Sequence, residues 1–435
     1  MSTQHDSFRD ALPKDWTFDR LKDVVALRNE KTDVASAEED YLELEDLESG
    51  TGRILNRRST LEVESAVTMF RKGDVLFGKL RPYLEKYYEA EFDGKCTGEI
   101  LAFKPQRIVS RFLFYCVGAR WFIGRCNALA YGAKMPRVSW PTQLSQFNVP
   151  LPPLSEQQRI AAYLDASCAA IDAAVATKRC QLEILDTLRK SIIQRAVTRG
   201  ISNRVVLEST GNAWLDRVPR GWKLVCLKRI CEIQGGLTLG KQYEGPLIER
   251  PYLRVGNVQD GHLDLENVSV IEVPASVAAG VELRPDDVLM TEGGDLDKLG
   301  RGYLWKGEIT GCLHQNHIFA VRCFRHKLMS MFLAYVTAAR YGRDYFEATG
   351  KKTTNLACTN ATKVGEFPIP LPPLPEQEAI CTYLDEKLGT VKNIASGIES
   401  QIATLTTYRK SLIHECVTGQ RRISDVDVNR AKAAR

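Results

Sequence analysis

The sequence predicts an α/β protein of the α+β kind, with two lobes joined by two long antiparallel helices that form an intramolecular coiled coil with pseudo-twofold symmetry. Three observations support this prediction. The stretch at 149–200 recurs without a gap at 369–420, its helical pattern repeats in sevens, and weaker sequence similarity precedes each copy. A duplication of this length indicates two copies of one structural unit.

Each copy carries the start and stop signals of one long helix. Prolines open both copies, and Ser155 with Gln158 has the spacing of a capping box, whereas Pro375 occupies a first turn, where proline is tolerated. Gly200 and Gly419 stand where a left-handed residue commonly ends a helix. These signals bracket about 43 residues, which span about 65 Å at a rise of 1.5 Å per residue.

A seam of residues, spaced alternately by four and three, runs along each predicted helix. A heptad pattern over more than four repeats is typical of a coiled coil, and the second copy supplies the partner. The residues predicted to pair the helices are Leu164, Ile171, Val175, Leu182, Leu185, Ile192, Leu384, Val391, Ile398, Ile402, Leu405 and Leu412. Arg189 and Arg409 occupy equivalent polar positions in the seam. The alternative is a long helix packed on a globular core.

The connection between the two helices sets their expected direction. The chain leaves the end of the first helix, passes through a compact lobe and enters the start of the second helix, so those two ends should be neighbours and the helices antiparallel. The predicted boundaries are 1–148 for the first lobe, 149–203 for the first helix, 204–368 for the second lobe, 369–420 for the second helix and 421–435 for a C-terminal tail. The tail is charged and lacks a seam, so it is expected to fray, with contact to the first lobe as the alternative.

Landmarks inside the lobes indicate that the whole unit is duplicated. PKDWTFDRLKDVVALRNEKT matches PRGWKLVCLKRICEIQGGLT, and KGDVLFGKLRP matches PDDVLMTEGGD. Short β-branched and aromatic runs separated by Gly, Asp and Pro predict an irregular, mostly antiparallel sheet. One helical segment is expected in each lobe, near 111–125 and 328–346.

The composition indicates a folded protein with a mild positive charge. Of the 435 residues 44% are hydrophobic, and the net charge of +5 permits a polyanionic partner without requiring one. A run of 18 apolar residues and a basic-then-apolar leader are both absent from the sequence, so a secreted or membrane-spanning protein is not predicted. Cys116, Cys168 and Cys226 fall at apolar positions, so the scattered cysteines are expected to be reduced, buried side chains in the cytoplasm.

Two stretches match catalytic motifs only in part. GGLTLGKQ at 235–242 resembles a nucleotide-binding phosphate loop but has Gln242 where a hydroxyl would reach Mg²⁺. PDDVLMTEGGDLDK at 285–298 lacks the acidic residue two positions before Lys298 that a metal-dependent nuclease requires. The Asn/Asp-Pro-Pro-aromatic tetrapeptide of DNA amino-methyltransferases is also absent from the sequence. The sequence therefore predicts no catalytic residues.

CLHQNHIFAVRCFRH at 312–326 gathers cysteine and histidine side chains that could bind a soft metal. Alternate residues of a strand point to opposite faces, which argues against a shared site. No metal site is predicted, although a metal at Cys312, His314 and His317 stays open.

Basic and aromatic residues are concentrated in loops that differ between the lobes. Arg and Lys hold phosphates, Arg, Asn and Gln read base edges, and Tyr stacks on bases or packs against sugars. The candidate DNA-binding residues are Lys79, Arg81, Tyr83, Lys134, Arg137, Lys298, Arg301, Tyr303, Lys351, Lys352 and Asn355. For each of them a solvated surface role is the alternative. A shared frame with different loops indicates two modules with different targets.

The doubled PLPPL-x-EQ-x-x-I-x-x-YLD, the later RKS and the P-x-x-W before each lobe resemble the DNA specificity subunits of type I restriction–modification systems. The resemblance implies that each lobe reads one half of a split double-stranded DNA site and that the helices dock two methylation subunits. It implies restriction subunits in the full complex. S-adenosylmethionine, ATP and Mg²⁺ would bind to the partner subunits, and neither cofactor binding nor catalysis would belong to this chain. A non-catalytic protein-binding scaffold is the alternative.

Overall fold

The computed structural model describes residues 12–32, 40–59, 67–202, 204–294, 296–352 and 357–433. The chain divides into two compact units. Unit 1 comprises Met1–Arg179 and Glu399–Arg435, and unit 2 comprises Cys180–Ile398. Each unit therefore contains one lobe and part of each long helix.

The described helices are named in chain order. They are α1 (Leu21–Val24), α2 (Ser110–Gly118), α3 (Arg120–Leu129), α4 (Leu154–Arg199), α5 (Ala275–Val281), α6 (Ser330–Ala338), α7 (Arg340–Thr349), α8 (Ala361–Glu366), α9 (Leu374–Val417) and α10 (Asp425–Ala433). The long helices α4 and α9 contain 46 and 44 residues. Each is close to the length expected from the proline and glycine signals.

The lobe of unit 1 is built from short strands. They are β1 (Thr17–Arg20), β2 (Val25–Leu27), β3 (Lys31–Thr32), β4 (Asp40–Leu42), β5 (Arg58–Ser59), β6 (Val67–Phe70), β7 (Val75–Gly78), β8 (Tyr87–Glu89), β9 (Gly94–Cys96), β10 (Ile100–Pro105) and β11 (Asn148–Leu151). One antiparallel sheet has the order β2-β10-β7-β8, and a second has the order β3-β6-β9-β4-β5. Strands β4 and β9 run parallel, and β1 pairs with β11.

The lobe of unit 2 repeats the four-stranded sheet, the parallel strand pair and the two-stranded ribbon of unit 1, and its other small sheets differ. Its strands are β12 (Leu207–Ser209), β13 (Arg217–Pro219), β14 (Lys223–Cys226), β15 (Cys231–Gly235), β16 (Ile248–Leu253), β17 (Val258–Gln259), β18 (His262–Leu263), β19 (Ser269–Val273), β20 (Val288–Thr291), β21 (Gly293–Gly294), β22 (Gly302–Leu304), β23 (Leu313–His314), β24 (Ile318–Cys323), β25 (Lys351–Lys352), β26 (Ala357–Cys358) and β27 (Pro368–Leu371). The sheet β15-β24-β20-β22 corresponds to β2-β10-β7-β8. The parallel pair β16/β23 and the ribbon β14/β27 correspond to β4/β9 and β1/β11.

Both long helices contribute to the hydrophobic core of each unit. Leu164 of α4 and Leu412 of α9 belong to the core of unit 1, and Val197 of α4 and Leu384 of α9 belong to the core of unit 2. All residues that the seam predicts to pair are buried or half-buried. The spacing by four and three therefore identifies the less exposed side of each helix.

Helix α4 is the one described helix that is long and apolar enough to cross a membrane, with a mean hydropathy of 1.3 over 18 residues. Its residues Ile160, Leu164 and Ile171 are buried in the core of unit 1. Part of the apolar surface of α4 is therefore covered by the core of unit 1.

The ends of the long helices agree with the sequence at three of the four signals. Gly200 and Gly419 have φ of 71° and 74°, the left-handed conformation expected after a helix. Pro375 lies in the first turn of α9. The capping box was wrong, because α4 begins at Leu154 and Ser155 therefore lies inside the first turn.

The helical segment predicted in each lobe is two helices. Ala119 separates α2 from α3 and Ala339 separates α6 from α7, both with extended backbones at ψ of 146° and 150°. In unit 1 the preceding Gly118 lies against Tyr87, since a Cβ on Gly118 would be 2.4 Å from the Tyr87 ring. This contact depends on tertiary packing, and the local pattern does not encode it.

The C-terminal tail is folded over its described residues, 421–433. The expectation that it frays was therefore wrong, and its contact with the first lobe is supported. Ile423 and Val428 are buried in the core of unit 1. Ser424 N donates to Asp427 Oδ2 at 2.9 Å, and Asp427 N donates to Ser424 Oγ at 3.3 Å, so a capping box starts α10. Arg422 also pairs with Asp15 at 2.8 Å. The S-x-x-D spacing was the missed sequence signal.

The cysteines are free thiols. Cys116 and Cys168 are buried, as predicted, whereas Cys226 is half-buried at the end of β14. Burial raises the pKa of Cys168 to about 11, so its thiol stays protonated near neutral pH.

Candidate nucleic-acid interface

The two candidate loops of unit 1 lie side by side. Residues 79–86 follow β7, and residues 131–138 follow α3. Arg81 N donates to Pro136 O at 2.7 Å, and the Arg81 guanidinium donates through Nη2 to Lys134 O at 3.4 Å. These contacts bring the basic candidates of both loops to one surface.

The first loop carries backbone strain beside its candidates. Arg81 and Glu85 both have φ of 50°, a left-handed conformation that is costly for side chains other than glycine. Such residues cost on the order of 1–3 kcal/mol each and persist where the surroundings hold them. Tyr83 lies between them and is 53% exposed. The strained turn therefore presents an aromatic ring to solvent.

The candidate loops of unit 2 also meet. Strand β21 pairs with β26, and β26 pairs with β25, which joins the segment after β20 to the segment after α7. Lys298 and Lys351 are exposed, and Arg301 and Tyr303 are half-buried. The side chain of Lys352 and the whole of Asn355 lie outside the described residues.

A shared backbone frame underlies both pairs of loops. In unit 1, Lys79 N donates to Glu99 O and Val138 N donates to Lys79 O, both at 3.0 Å. In unit 2, Glu292 N donates to His317 O and Thr359 N donates to Glu292 O, both at 2.8 Å. The same two bonds are thus made at equivalent places.

The frame makes three positions equivalent in the two units, and we call each set the exchange cluster. The exchange cluster consists of Lys79, Glu99 and Arg137 in unit 1, and of Glu292, His317 and Cys358 in unit 2. Each position carries a different side chain in the two units. Two surfaces with one backbone arrangement therefore present different hydrogen-bonding groups.

Two of the three side chains in each cluster interact with one another. Arg137 Nε and Nη2 donate to the two carboxylate oxygens of Glu99 at 3.1 and 3.2 Å, and this hydrogen bonding raises the pKa of the guanidinium. His317 Nδ1 lies 2.9 Å from Glu292 Oε2. A bidentate carboxylate fixes the plane of a guanidinium and leaves its remaining N–H groups for another acceptor. Unit 1 thus presents an oriented cation where unit 2 presents an imidazole and a carboxylate.

A cleft of about 390 Å³ adjoins the exchange cluster of unit 1. Lys79 and Arg137 line it together with the aromatic rings of Tyr131 and Trp140. Cations beside aromatic faces suit a nucleic acid, whose phosphates and bases they contact.

The sequence pattern selected only some of these residues. Lys79 and Arg137 were candidates, but Glu99, Glu292 and Cys358 were missed, and His317 was weighed only as a metal ligand. The match of KGDVLFGK with PDDVLMTE aligns Lys79 with Glu292 and was the available signal. The remaining positions follow from strand register and loop pairing, which join distant segments.

The stretches that resembled catalytic motifs have structural contacts. Asp287 is buried and pairs with Arg322 at 2.9 Å, and Asp74 pairs with Arg28 at the equivalent place in unit 1. The glycine-rich segment 235–242 is followed by strand β16 rather than by a helix. These acidic residues therefore hold strands together, and the glycine-rich segment lacks the helix of a phosphate loop.

The possible soft-metal ligands lie in separate environments. Cys312 is buried beside Leu313 O, and His314 Nδ1 lies 3.0 Å from Val281 O, while burial lowers the pKa of His314. His326 stacks on Phe324. Within the part of the chain that the structure describes, no three His, Cys, Asp or Glu residues form a group that could hold a metal ion.

The repeated sequence motifs contact each other. Trp16 Nε1 donates to Glu156 Oε2 at 3.0 Å, and Trp222 Nε1 donates to Glu376 Oε2 at 3.0 Å. In each unit, the tryptophan of the P-x-x-W motif therefore donates a hydrogen bond to the glutamate at the start of a long helix.

The glutamine that follows each glutamate has an equally regular role. Gln157 Oε1 accepts from Val109 N at 2.7 Å, and Gln377 Oε1 accepts from Met329 N at 2.9 Å. The two backbone donors stand immediately before α2 and α6, which occupy equivalent places in the two lobes. The L-x-E-Q motif thus ties each lobe to a long helix.

The structure defines a chain with two modules of one topology, each tied to long helices and each bearing a different exchange cluster. A family model described as the type I restriction modification DNA specificity domain matches residues 13–183. Three similar curated proteins are type I restriction enzyme specificity subunits. They are StySPI from Salmonella potsdam, 23% identical over 77% of this chain and 69% of the relative; EcoKI from Escherichia coli K12, 22% identical over 77% and 69%; and MjaVIII from Methanocaldococcus jannaschii, 22% identical over 96% and 95%.

Solved structures show the same fold. One, from work on assembly and conformational transition of the type I restriction–modification system, has a TM-score of 0.73 at 21% identity and covers 94% of this chain and 99% of the other. The HsdS subunit from Thermoanaerobacter tengcongensis has a TM-score of 0.50 at 20% identity, covering 94% and 98%. These similarities confirm the resemblance to the type I restriction–modification DNA specificity subunits that the sequence motifs indicated.

Proposed function

We propose that each unit contacts one half of a split DNA site and that the two exchange clusters give the halves different sequences. The observation that carries this proposal is the retention of one backbone frame with Lys79, Glu99 and Arg137 in one unit and different residues in the other. Arginine donors suit guanine, whereas carboxylate and imidazole groups suit other base edges. The loop candidates around each cluster would supply phosphate contacts that position the module.

We assign the spacer role to α4 and α9, which would pair antiparallel as an intramolecular coiled coil with an approximate twofold axis. Support comes from the buried or half-buried seam and from cores that combine opposite halves of the helices. The boundaries predicted from the sequence remain the proposed division into recognition and spacer segments.

The proposed complex places the chemistry on other subunits in the cytoplasm. Two methylation subunits would dock on the helices and bring S-adenosylmethionine, and restriction subunits would bring ATP and Mg²⁺. The buried, paired Asp287 and the absence of a helix after the glycine-rich segment at 235–242 support a chain without turnover of its own.

Mapping methylated adenines across a genome, with the native partners present, tests the proposal. We expect one motif of two specific halves separated by a gap of fixed length. The purified chain alone, given DNA, Mg²⁺, ATP and S-adenosylmethionine, should leave the DNA uncut and unmethylated. A continuous motif, or activity that survives removal of every partner subunit, would contradict the proposal.

A second experiment exchanges the cluster of unit 1 for that of unit 2. The triple variant Lys79→Glu, Glu99→His and Arg137→Cys should change the half-site read by unit 1 and leave the other half-site and the gap unchanged. Loss of a base contact costs about 1–3 kcal/mol of discrimination at one position.

The matched control is Lys104→Gln, an exposed residue on β10, the strand that follows Glu99. This variant should keep the original motif. An unchanged motif in the triple variant would remove the exchange cluster from the recognition surface.

A further inference from the structure

The seam of each long helix contains one arginine at an equivalent position. Arg189 of α4 and Arg409 of α9 both precede Lys-Ser, and both stand between apolar seam residues. A charged side chain that is buried in a seam loses hydration. This loss costs free energy unless the side chain gains charged or hydrogen-bonding partners. The partners of the two arginines are therefore informative.

Arg409 joins both long helices and the lobe within unit 1. It is 9% exposed, and its Nε lies 3.1 Å from Oδ1 of Asp172 on α4. Its Nη1 donates to Gly50 O at 3.2 Å, in a turn of the lobe. Arg53 of that turn also reaches Asp172, at 2.7 Å. The arginine thus connects a recognition module to the helices at one turn.

A second cation of α9 binds Glu85, which lies in the neighbouring loop and contacts this turn. Lys410 Nζ donates to both carboxylate oxygens of Glu85 at 2.8 and 2.9 Å, and Gly50 N donates to Glu85 O at 2.9 Å. Gly50 has φ of 71°, which favours glycine at this contact. The turn is therefore held from its backbone and from its side chains.

Arg189 makes the corresponding contact within unit 2. Its Nη2 binds Asp260 in the turn between β17 and β18, and its Nε lies 3.4 Å from Asp186. The next residue, Gly261, has φ of 76°, and a Cβ there would lie 3.5 Å from Arg189 Nη1. Burial by itself would raise the pKa of Asp260, but the charge and hydrogen bond of Arg189 hold this pKa below its ordinary value.

We propose that Arg189 and Arg409 are positioning residues that fix the orientation of each recognition module on the helices and so set the length of the unread gap. Neither is assigned a contact with DNA. The inference rests on the proposed recognition of a split site by the two units.

Duplex geometry makes module orientation decisive for the gap. One base pair advances the duplex by about 3.4 Å and rotates it by about 36°, since a turn of 34–36 Å contains 10–10.5 base pairs. A module that rocks on its helices could meet a half-site displaced by one base pair. A module held at its turn could not.

The test uses Arg189→Met and Arg409→Met in the complete methylation complex. Methionine keeps an unbranched chain of similar length and removes the guanidinium. We expect both half-site sequences to persist, while methylation at gaps one base pair shorter or longer rises by on the order of tenfold relative to the original gap, which corresponds to about 1.4 kcal/mol. Hydrogen exchange should also quicken in the turn at 48–53 for the Arg409 variant and at 259–262 for the Arg189 variant.

Three comparisons make the result decisive. Arg409→Lys retains the charge and should restore most of the gap selectivity, and Arg179→Gln, exposed on α4, should behave as the unaltered chain. If Arg409→Met folds poorly, the result for Arg189→Met decides the test. Its partners Asp186 and Asp260 have side chains that are 49% and 37% exposed, so they stay hydrated when the guanidinium is removed.

A single unchanged gap in both variants would overturn the inference. A uniform fall in methylation without new gaps would also overturn it, because the arginines would then only stabilise the fold. Failure of the unaltered chain to show any split motif would instead contradict the proposed function.

Discussion

Deletion of 178–184 together with 395–401 is expected to leave both half-sites unchanged and to shorten the gap between them by about three base pairs. A heptad of helix spans about 10 Å, and a base pair occupies about 3.4 Å along the duplex. The two ranges are matched because Lys178 Nζ donates to Gln401 Oε1, which marks facing positions in unit 1. Methylated adenines mapped in the variant complex give the new gap directly.

The shorter gap also changes the angle between the half-sites. Three base pairs turn the duplex by about 110°, so we expect weaker binding along with the altered spacing. Deleting 178–184 alone is the control, and it should disrupt the seam and abolish methylation. The spacer role of α4 and α9 would be refuted by a matched deletion that methylates across the original gap.

Leu164→Ala is expected to destabilise unit 1 by about 2–5 kcal/mol, through lost burial and an unfilled cavity. Leu164 is fully buried in the core of unit 1, and Leu384, at the equivalent position of α9, is fully buried in the core of unit 2. Leu384→Ala should therefore destabilise unit 2 by a similar amount. Hydrogen exchange of β10 and α2, compared with β24 and α6, distinguishes the two effects.

Ile184→Ala on α4 is the matched control, since Ile184 is 60% exposed. Its effect should stay within about 0.5 kcal/mol. If Leu164→Ala reduced protection equally in both units, the units would unfold as one, and the division of the chain would be incorrect.

Local sequence signals predicted the long helices because their ends depend on nearby residues. Pro375 and Gly200 act through their own backbone conformations, and the seam depends only on spacing. Short β-branched and aromatic runs also predicted a mostly antiparallel sheet in each lobe, although they did not predict which strands pair. The duplication added the most information, since it identified both lobes as one topology.

Features that depend on distant segments were missed. Ile423 is buried with residues of the first lobe, which lie hundreds of positions earlier in the chain. The charged residues around Ile423 in the sequence therefore led to the wrong prediction of a frayed tail. Glu99 and Arg137 are hydrogen-bonded because the register of β10 and the pairing of two loops bring them together. Both features depend on segments that are distant in the sequence. The break at Ala119 likewise reflects packing around Gly118. Tertiary contacts decided each of these cases.

The division of the chain has a consequence for its synthesis. Unit 2 is one continuous segment, whereas unit 1 requires Met1–Arg179 together with Glu399–Arg435. At 5–20 residues per second, the ribosome takes roughly 10–40 s to make the segment between the two parts of unit 1. During that interval Leu164 lacks Leu412, its companion in the finished core. The module begun first is therefore completed last, and its apolar helix face is open to chaperones and to aggregation while unit 2 is being made.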